Sequence, residues 1–115
     1  MNLETRHRIL KLVHENPSMT QRELSKHLGL SLGQVNYCMK AVVDKGWIKV
    51  RNFKNSQNKL AYTYLLTPSG IEEKIRITLE FYKRKKEEYE ELKREVEEMG
   101  VDLEHEKIIK ETSAY

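Results

Sequence analysis

The sequence predicts a mainly α-helical chain with one small β-hairpin, in which an N-terminal domain is followed by a long coiled-coil helix. Two observations lead to this fold class. Short helices with well-marked ends and a pair of strands fill residues 1–66, whereas apolar residues recur at alternating steps of four and three over residues 67–103. Residues 104–115 carry few apolar side chains, which predicts a short helix or a flexible tail.

The first helix is predicted for Leu3–Glu15, where apolar residues recur at helical spacing. Asn16-Pro17 then ends it, because the residue before a proline avoids the helical conformation. A second helix follows Thr20 and ends before Gly29, a residue that favours the left-handed turn after a helix. Thr20 and Glu23 have the spacing of a capping box, in which each residue's side chain bonds to the other's backbone N–H.

The third helix starts with the same signal directly after the second. Ser31 is its cap, Gln34 is the partner in the capping box, and the helix runs to about Lys45, before Gly46. Two capped helices that are separated by one glycine-containing turn cannot continue each other. They are therefore expected to cross as a helix-turn-helix, the unit in which the second helix contacts the bases of DNA.

A β-hairpin is predicted after the third helix. Trp47–Arg51 alternates apolar with basic residues, and Ala61–Leu66 is rich in aromatic and β-branched residues. Between them, Asn52–Lys59 holds three Asn, one Ser and two Lys, the composition of a polar loop. The hairpin forms a wing, so that the N-terminal domain is predicted to be a winged helix-turn-helix.

The last helix is predicted to be long and to form a coiled coil. It begins at Pro68, with Thr67 as its cap, and is expected to fray or bend near Met99, because Gly100 weakens the helix. Its heptad pattern over residues 71–103 includes Thr78 and requires a partner, for which we expect a second copy of the chain. The pattern leaves parallel and antiparallel pairing open. The side chains assigned to the dimer contact are Ile75, Tyr82, Tyr89, Leu92, Val96 and Met99.

The charges of the chain are unevenly distributed. The net charge of +3 divides into +7 over residues 1–66 and −4 over residues 67–115. A basic N-terminal part that is joined to an acidic C-terminal part indicates that the two parts bind different partners, and the basic part suits double-stranded DNA. A chance distribution of charges over solvated surface is the alternative.

The exposed face of the third helix is the predicted DNA-contacting surface. Val35, Met39 and Val42 share one face and are expected to point into the core, which leaves the opposite face outward. On that face, Gln34 and Asn36 can each pair with adenine through two hydrogen bonds. With the cations and amides of the wing and the second helix, the residues predicted to contact DNA are Arg22, Ser31, Leu32, Gly33, Gln34, Asn36, Tyr37, Lys40, Arg51, Lys54, Asn55 and Lys59.

No enzymatic activity, metal site or cofactor is predicted. The sequence has no glycine-rich phosphate loop, no cluster of metal ligands and no nucleophile beside a base. Its single cysteine, Cys38, cannot form an internal disulfide, which suits a reducing cytoplasm. No apolar run approaches the ~18–20 residues that span a bilayer, so we expect a cytoplasmic protein without a membrane segment.

Residues 9–70 resemble the winged helix of MarR-type regulators. The segments that carry the resemblance are Thr20–Leu30, Gly46–Ile48 and Leu66–Gly70. Val35–Cys38 and Asn52–Asn55 are most similar to the short MarR-related regulators associated with exopolysaccharide gene clusters. The resemblance implies a homodimeric transcriptional regulator that binds a roughly palindromic operator. The sequence departs from the broad family in two ways: it shows no extra N-terminal dimerisation helix, and one long C-terminal helix replaces the usual set. Many relatives form an effector pocket between their dimerisation and DNA-binding parts, so for this chain no small-molecule effector is predicted.

Two classes of function follow from these features. In the first, the third helix, Ser31–Lys45, enters the major groove of DNA and the wing, Asn52–Lys59, contacts the backbone or the minor groove. In the second, the winged helix is a protein-interaction or architectural module whose coiled coil recruits a partner, because a fold alone does not determine function.

Overall fold

The structure is a computed structural model that describes residues 1–54, 57 and 60–101. The described elements, in chain order, are α1 (Leu3–Glu15), α2 (Gln21–Leu28), α3 (Leu32–Asp44), β1 (Ile48–Lys54), β2 (Leu60–Leu66) and α4 (Pro68–Glu98). The predicted fold class, mainly helical with a small β-hairpin and a long last helix, is confirmed. The predicted tail, residues 104–115, lies outside the described residues.

The ends of α2 and α3 are formed by the predicted capping residues. At α2 the Thr20 side chain accepts a hydrogen bond from the Glu23 backbone N–H at 3.1 Å, and Gly29 ends the helix with φ of 67°. At α3 the box is reciprocal. The Gln34 backbone N–H donates to Ser31 Oγ at 3.2 Å, and the Ser31 backbone N–H donates to Gln34 Oε1 at 2.9 Å. These caps keep α2 and α3 as two separate helices.

The N-terminal unit, residues 1–78, has a core to which all four helices and the hairpin contribute. Fully burying one large aliphatic side chain stabilises a fold by about 1.5–3 kcal/mol relative to leaving it exposed. Because α1 and the first turns of α4 share this core, they support the helix-turn-helix. The largest fully buried side chains are Ile9, Leu10, Val13, Leu24, Val35, Val42, Ile48 and Ile77.

The first turn of α4 packs directly against the turn between α3 and β1. The Thr67 backbone N–H donates to the Trp47 carbonyl oxygen at 3.0 Å, and the Thr67 hydroxyl donates to the Gly46 carbonyl oxygen. A Cβ atom on Gly70 would lie 2.0 Å from the Trp47 carbonyl oxygen. Only glycine therefore allows this approach. The division of the chain into a DNA-binding domain, residues 1–66, and a dimerisation helix, residues 67–103, stays a prediction.

A charged cluster joins α1 to α4 within the same unit. The Arg6 guanidinium lies 4.8 Å from the centre of the Trp47 ring and 3.3 Å from Glu73 Oε1. Arg76 donates to both carboxylate oxygens of Glu73, at 2.6 and 3.1 Å. These Arg76 hydrogen bonds, supported by Arg6, hold the pKa of Glu73 below its usual value although partial burial acts in the opposite direction.

The β-hairpin is longer than the sequence predicts. β1 continues to Lys54, so Asn52, Phe53 and Lys54, which were predicted to belong to the loop Asn52–Lys59, are strand residues paired with Tyr62, Ala61 and Leu60. The loop prediction is wrong at these positions because ladder hydrogen bonds come from the backbone, which polar residues supply as well as apolar ones. Residues 55, 56, 58 and 59 lie outside the described part of the chain.

The second unit begins at Leu79, and its described part continues α4 to Glu98. Gly100 follows with φ of 76°, a left-handed conformation in which glycine is favoured. The helix thus ends at Glu98, next to Met99, where the sequence predicts that it frays or bends. Within the described residues, no helix is both long enough and apolar enough to cross a membrane.

Candidate nucleic-acid interface

Helix α3 has one buried face and one exposed face, as predicted. On the buried face, Val35, Met39 and Val42 are at most 2% exposed. On the opposite face, Tyr37 is 70% exposed and Leu32 is 48% exposed. The remaining exposed residues on this face are Gly33, Gln34, Asn36 and Lys40. The predicted residues of α3 therefore lie together on one accessible surface.

The Gln34 side chain, predicted to pair with adenine, is occupied in capping α3. Its Oε1 atom accepts the Ser31 backbone N–H at 2.9 Å. Pairing with adenine through two hydrogen bonds uses the oxygen and one N–H of the amide along the same edge. The Gln34 oxygen therefore already accepts one hydrogen bond, which holds the side chain against the start of α3, and in the structure its role is to cap the helix.

Asn36 is held by a chain of hydrogen bonds that reaches the hairpin. Asn36 Nδ2 donates to Gln21 Oε1 at 3.3 Å, and Gln21 Nε2 donates to the Tyr64 hydroxyl at 3.2 Å. Tyr64 is buried in β2, and its backbone N–H donates to the Pro17 carbonyl oxygen at 3.0 Å. Because an amide nitrogen carries two hydrogens, Asn36 keeps its oxygen and one N–H for a partner.

Gln21 and Tyr64 were not among the predicted site residues. In the sequence Gln21 is only the first residue of a helix, and it is 43 positions away from the tyrosine that it contacts. No local pattern links two such residues, because the contact arises from the packing of β2 beside α2.

Gly33 is exposed near the start of α3. A Cβ atom built there would meet no other atom within 4 Å. The packing of the protein itself therefore does not require glycine at this position. This is consistent with the predicted role, in which the missing side chain lets the helix approach DNA closely.

The cations of the hairpin lie on two faces. Side chains alternate along a strand, and the register pairs Asn52 with Tyr62. Asn52 and Lys54 therefore share the face that carries Tyr64, whereas Arg51 lies on the opposite face.

The predicted site residues outside α3 are also accessible where the structure describes them. Arg51, Asn52 and Lys54 are all exposed, as are Arg22 at the start of α2 and the cap Ser31. The predicted site residues Asn55 and Lys59 lie outside the described residues.

An open groove lies between the start of α3 and the hairpin. The side chains that line it include those of Met19, Leu32, Val50 and Tyr62, together with Asn36. The groove makes the exposed end of α3 and one face of the hairpin a single continuous surface. Among the residues described, no three His, Cys, Asp or Glu side chains are grouped so that they could hold a metal ion.

The side chains assigned to the dimer contact on α4 are accessible, with one difference from the heptad pattern. Thr78 lies in the predicted pattern, but its hydroxyl bonds to the Lys74 carbonyl oxygen at 2.7 Å and lies 3.0 Å from His7 Nε2. Thr78 and the neighbouring Leu79 are both exposed, and Ile77 is fully buried. The exposed members of the predicted contact are Ile75, Tyr82, Tyr89, Leu92 and Met99, and Val96 is half-buried.

Comparisons with known proteins agree with this architecture. Residues 3–49 match the family model described as winged helix-turn-helix DNA-binding. The structure is similar to MepR, a transcription regulator of the Staphylococcus aureus multidrug efflux pump MepA, with a TM-score of 0.58 and 21% identity over 83% of this chain and 75% of that chain. MepR in its DNA complex gives a TM-score of 0.57 at 21% identity over 82% of this chain and 73% of that chain.

A third similar structure is the MarR family protein Rv2887 of Mycobacterium tuberculosis in complex with p-aminosalicylic acid. Its TM-score is 0.55 at 19% identity, over 84% of this chain and 77% of that chain. A comparison of the sequence with curated proteins finds no match. The chain therefore has the winged helix-turn-helix fold that is found in MarR-type transcription regulators.

Proposed function

We propose that the protein is a sequence-specific DNA-binding transcriptional regulator of the MarR type and not an enzyme. The observation that carries this proposal is the exposed face of α3, which presents amide and lysine side chains beside a capped helix start while the opposite face is buried. In a homodimer, two such helices enter successive major grooves, about 34 Å apart, on a roughly palindromic operator.

Each part of the surface has a distinct role in the proposed complex. Asn36 pairs with adenine, and Leu32 contacts the methyl group of a thymine. Lys40 and Arg22 contact guanine or phosphate, and Arg51 and its neighbours on the hairpin contact the backbone or the minor groove. The basic character of residues 1–66, with a net charge of +7, favours all of these contacts.

The two halves of the operator require two copies of the chain, and we assign their contact to the exposed apolar side chains of α4. Tyr82, Tyr89 and Leu92 are each at least 60% exposed. Large apolar side chains on one helix face are usually covered by a partner helix.

The proposal is tested by selection from a random pool of duplex DNA at two salt concentrations, followed by sequencing of the retained fraction. We expect enrichment of a two-fold symmetric site and an affinity that falls steeply with salt. The variant Asn36→Ala with Lys40→Ala should lose the enrichment while it remains folded. The matched control, Lys83→Ala with Lys86→Ala, changes two exposed residues of α4 and should retain it.

A second candidate function is recruitment of another protein by α4, because the same exposed face could be covered by a different chain. Under that function, neither the wild type nor the α3 variant enriches any DNA site. Retention of DNA without enrichment would indicate an architectural, sequence-independent role.

A further inference from the structure

We propose that Gln21 is a positioning residue for base recognition, which holds the Asn36 amide ready to pair with adenine and connects it to the hairpin. The inference rests on the proposed function, because it assigns a task to a residue that supports the DNA-contacting face. Gln21 itself is half-buried between α3 and β2.

The first step of the argument is the use of the Asn36 hydrogen-bonding groups. Asn36 gives one N–H to Gln21 Oε1 at 3.3 Å. Adenine requires one acceptor and one donor from an asparagine side chain. The bond to Gln21 uses neither the oxygen nor the second N–H, so one acceptor and one donor remain on the oriented side chain.

The second step is the anchoring of Gln21. Its Nε2 donates to the hydroxyl of Tyr64, which is 7% exposed. Gln21 is also the first residue of α2, directly after the cap Thr20, so its backbone is fixed by the helix start. An asparagine without such contacts would lose side-chain conformational entropy when it binds DNA. The hydrogen bonds through Gln21 to Tyr64 already restrict Asn36 in the free protein, so the entropy cost of binding is smaller.

The third step is the contrast with Gln34. Both amides lie on the exposed face of α3, but the oxygen of Gln34 is bonded to the Ser31 backbone N–H. Asn36 is therefore the better placed of the two predicted adenine contacts. Its orientation depends on a residue of α2 and a residue of β2, so base recognition by α3 depends on the packing of both elements.

The test uses the full chain with Gln21→Met, which keeps the length of the side chain and removes both hydrogen bonds. His27→Met, at an exposed position of the same helix, is the matched control. The first measurement needs no DNA. In ¹⁵N-labelled protein, the side-chain amide resonances of Asn36 should shift in Gln21→Met and stay unchanged in His27→Met.

The second measurement is base preference on the operator recovered by selection. The wild type should prefer adenine at the position that Asn36 contacts, by on the order of tenfold. Gln21→Met should reduce that preference severalfold at this position alone, with unchanged non-specific affinity and salt dependence. In an Asn36→Ala background, Gln21→Met should have no further effect there, because the side chain that it positions is gone.

Tyr64→Phe provides a second variant, since it removes the hydroxyl that accepts from Gln21 and leaves the Gln21–Asn36 bond in place. It should produce a smaller change in the same direction. Unchanged Asn36 resonances in Gln21→Met, or an unchanged base preference, would overturn the inference while the proposed function stands. If the wild type selects no site, the proposed function fails, and the inference falls with it even where the resonances shift.

Discussion

Two amide side chains on α3 have the same chemistry but different roles. Gln34 caps the helix through its oxygen, whereas Asn36 keeps its oxygen available and is oriented by Gln21. The sequence predicts both as adenine contacts, because their residue types and their shared exposed face are all that it shows. Their roles differ because Gln34 is hydrogen-bonded to the Ser31 backbone, whereas Asn36 is hydrogen-bonded to the Gln21 side chain.

Gly33→Ala should affect the stability of the fold and the affinity for DNA in opposite directions. Because nothing lies within 4 Å of the added Cβ, the fold should accept alanine and gain up to about 1 kcal/mol of helix stability. If α3 approaches DNA at this point, affinity for the operator should fall at least severalfold. Thermal unfolding and operator binding measure the two effects. Unchanged affinity would contradict the role of Gly33 at the DNA surface.

Gly70→Ala tests the close packing of α4 against the turn before β1. The added Cβ would lie 2.0 Å from the Trp47 carbonyl oxygen, a backbone atom that also accepts the Thr67 N–H. We expect a loss of about 1–3 kcal/mol in the free energy of unfolding, since overpacking forces the backbone to move. Chemical denaturation measures the loss, with Gly33→Ala as the control substitution. A variant as stable as the wild type would show that this contact is looser in solution.

His7 should make stability depend on pH. Burial, together with the charges of Lys11 and Lys74, lowers its pKa from the ordinary value of 6.5. Below this pH the unfolded chain binds more protons at His7 than the folded chain does, so the free energy of unfolding falls as pH falls below 6.5. Thermal unfolding from about pH 7.5 to about pH 5.5 should show this fall, and it should be shallower for His7→Gln. Equal slopes for the two proteins would contradict the assignment.

At the scale of elements, the hairpin and α4 differ most from their sequence patterns. The hairpin includes Asn52 and Lys54 in β1, and this places Arg51 and Lys54 on opposite faces. Only one face therefore adjoins the groove beside α3. In α4, Ile77 belongs to the core of the N-terminal unit although it lies outside the heptad pattern, because a helix can bury one stripe and leave the adjacent one exposed.

Dimerisation through α4 is tested by Tyr89→Asp with Leu92→Asp. Both side chains are 60% exposed, so carboxylates there should leave the fold of the isolated chain intact. In a paired coiled coil they would be buried as charges, which is strongly unfavourable. Sedimentation equilibrium should therefore give a dimer for the wild type and a monomer for the variant, with an unchanged helical signal. A variant that remains dimeric would show that the dimer forms through another surface.

At the scale of the whole molecule, the charges divide along the chain, with +7 on residues 1–66 and −4 on the remainder. The excess of positive charge coincides with the helix-turn-helix and the hairpin. It suits a polyanionic partner for the first part, whereas the acidic C-terminal part would be repelled by DNA. The division supports a DNA-binding part that is joined to a part with another role.

Salt dependence measures this electrostatic contribution. If a dimer binds six to ten phosphates, the affinity should fall by about 10³–10⁵ between about 50 and 200 mM salt. Arg51→Ala should weaken binding to all sequences and lower the logarithmic slope by about one for each phosphate that is no longer bound. Lys83→Ala on α4 should leave the slope unchanged. A slope near zero for the wild type would exclude DNA as its partner.

The sequence by itself determined the type and order of the elements, the capped ends of α2 and α3, and which face of α3 is exposed. These features follow from local rules, since capping, helical spacing and strand alternation involve residues a few positions apart. Tertiary structure alone decided the Asn36–Gln21–Tyr64 bonds, the burial of Ile77 and the requirement for Gly70. Each of these depends on residues that are distant in sequence, and they come together only after the elements have packed.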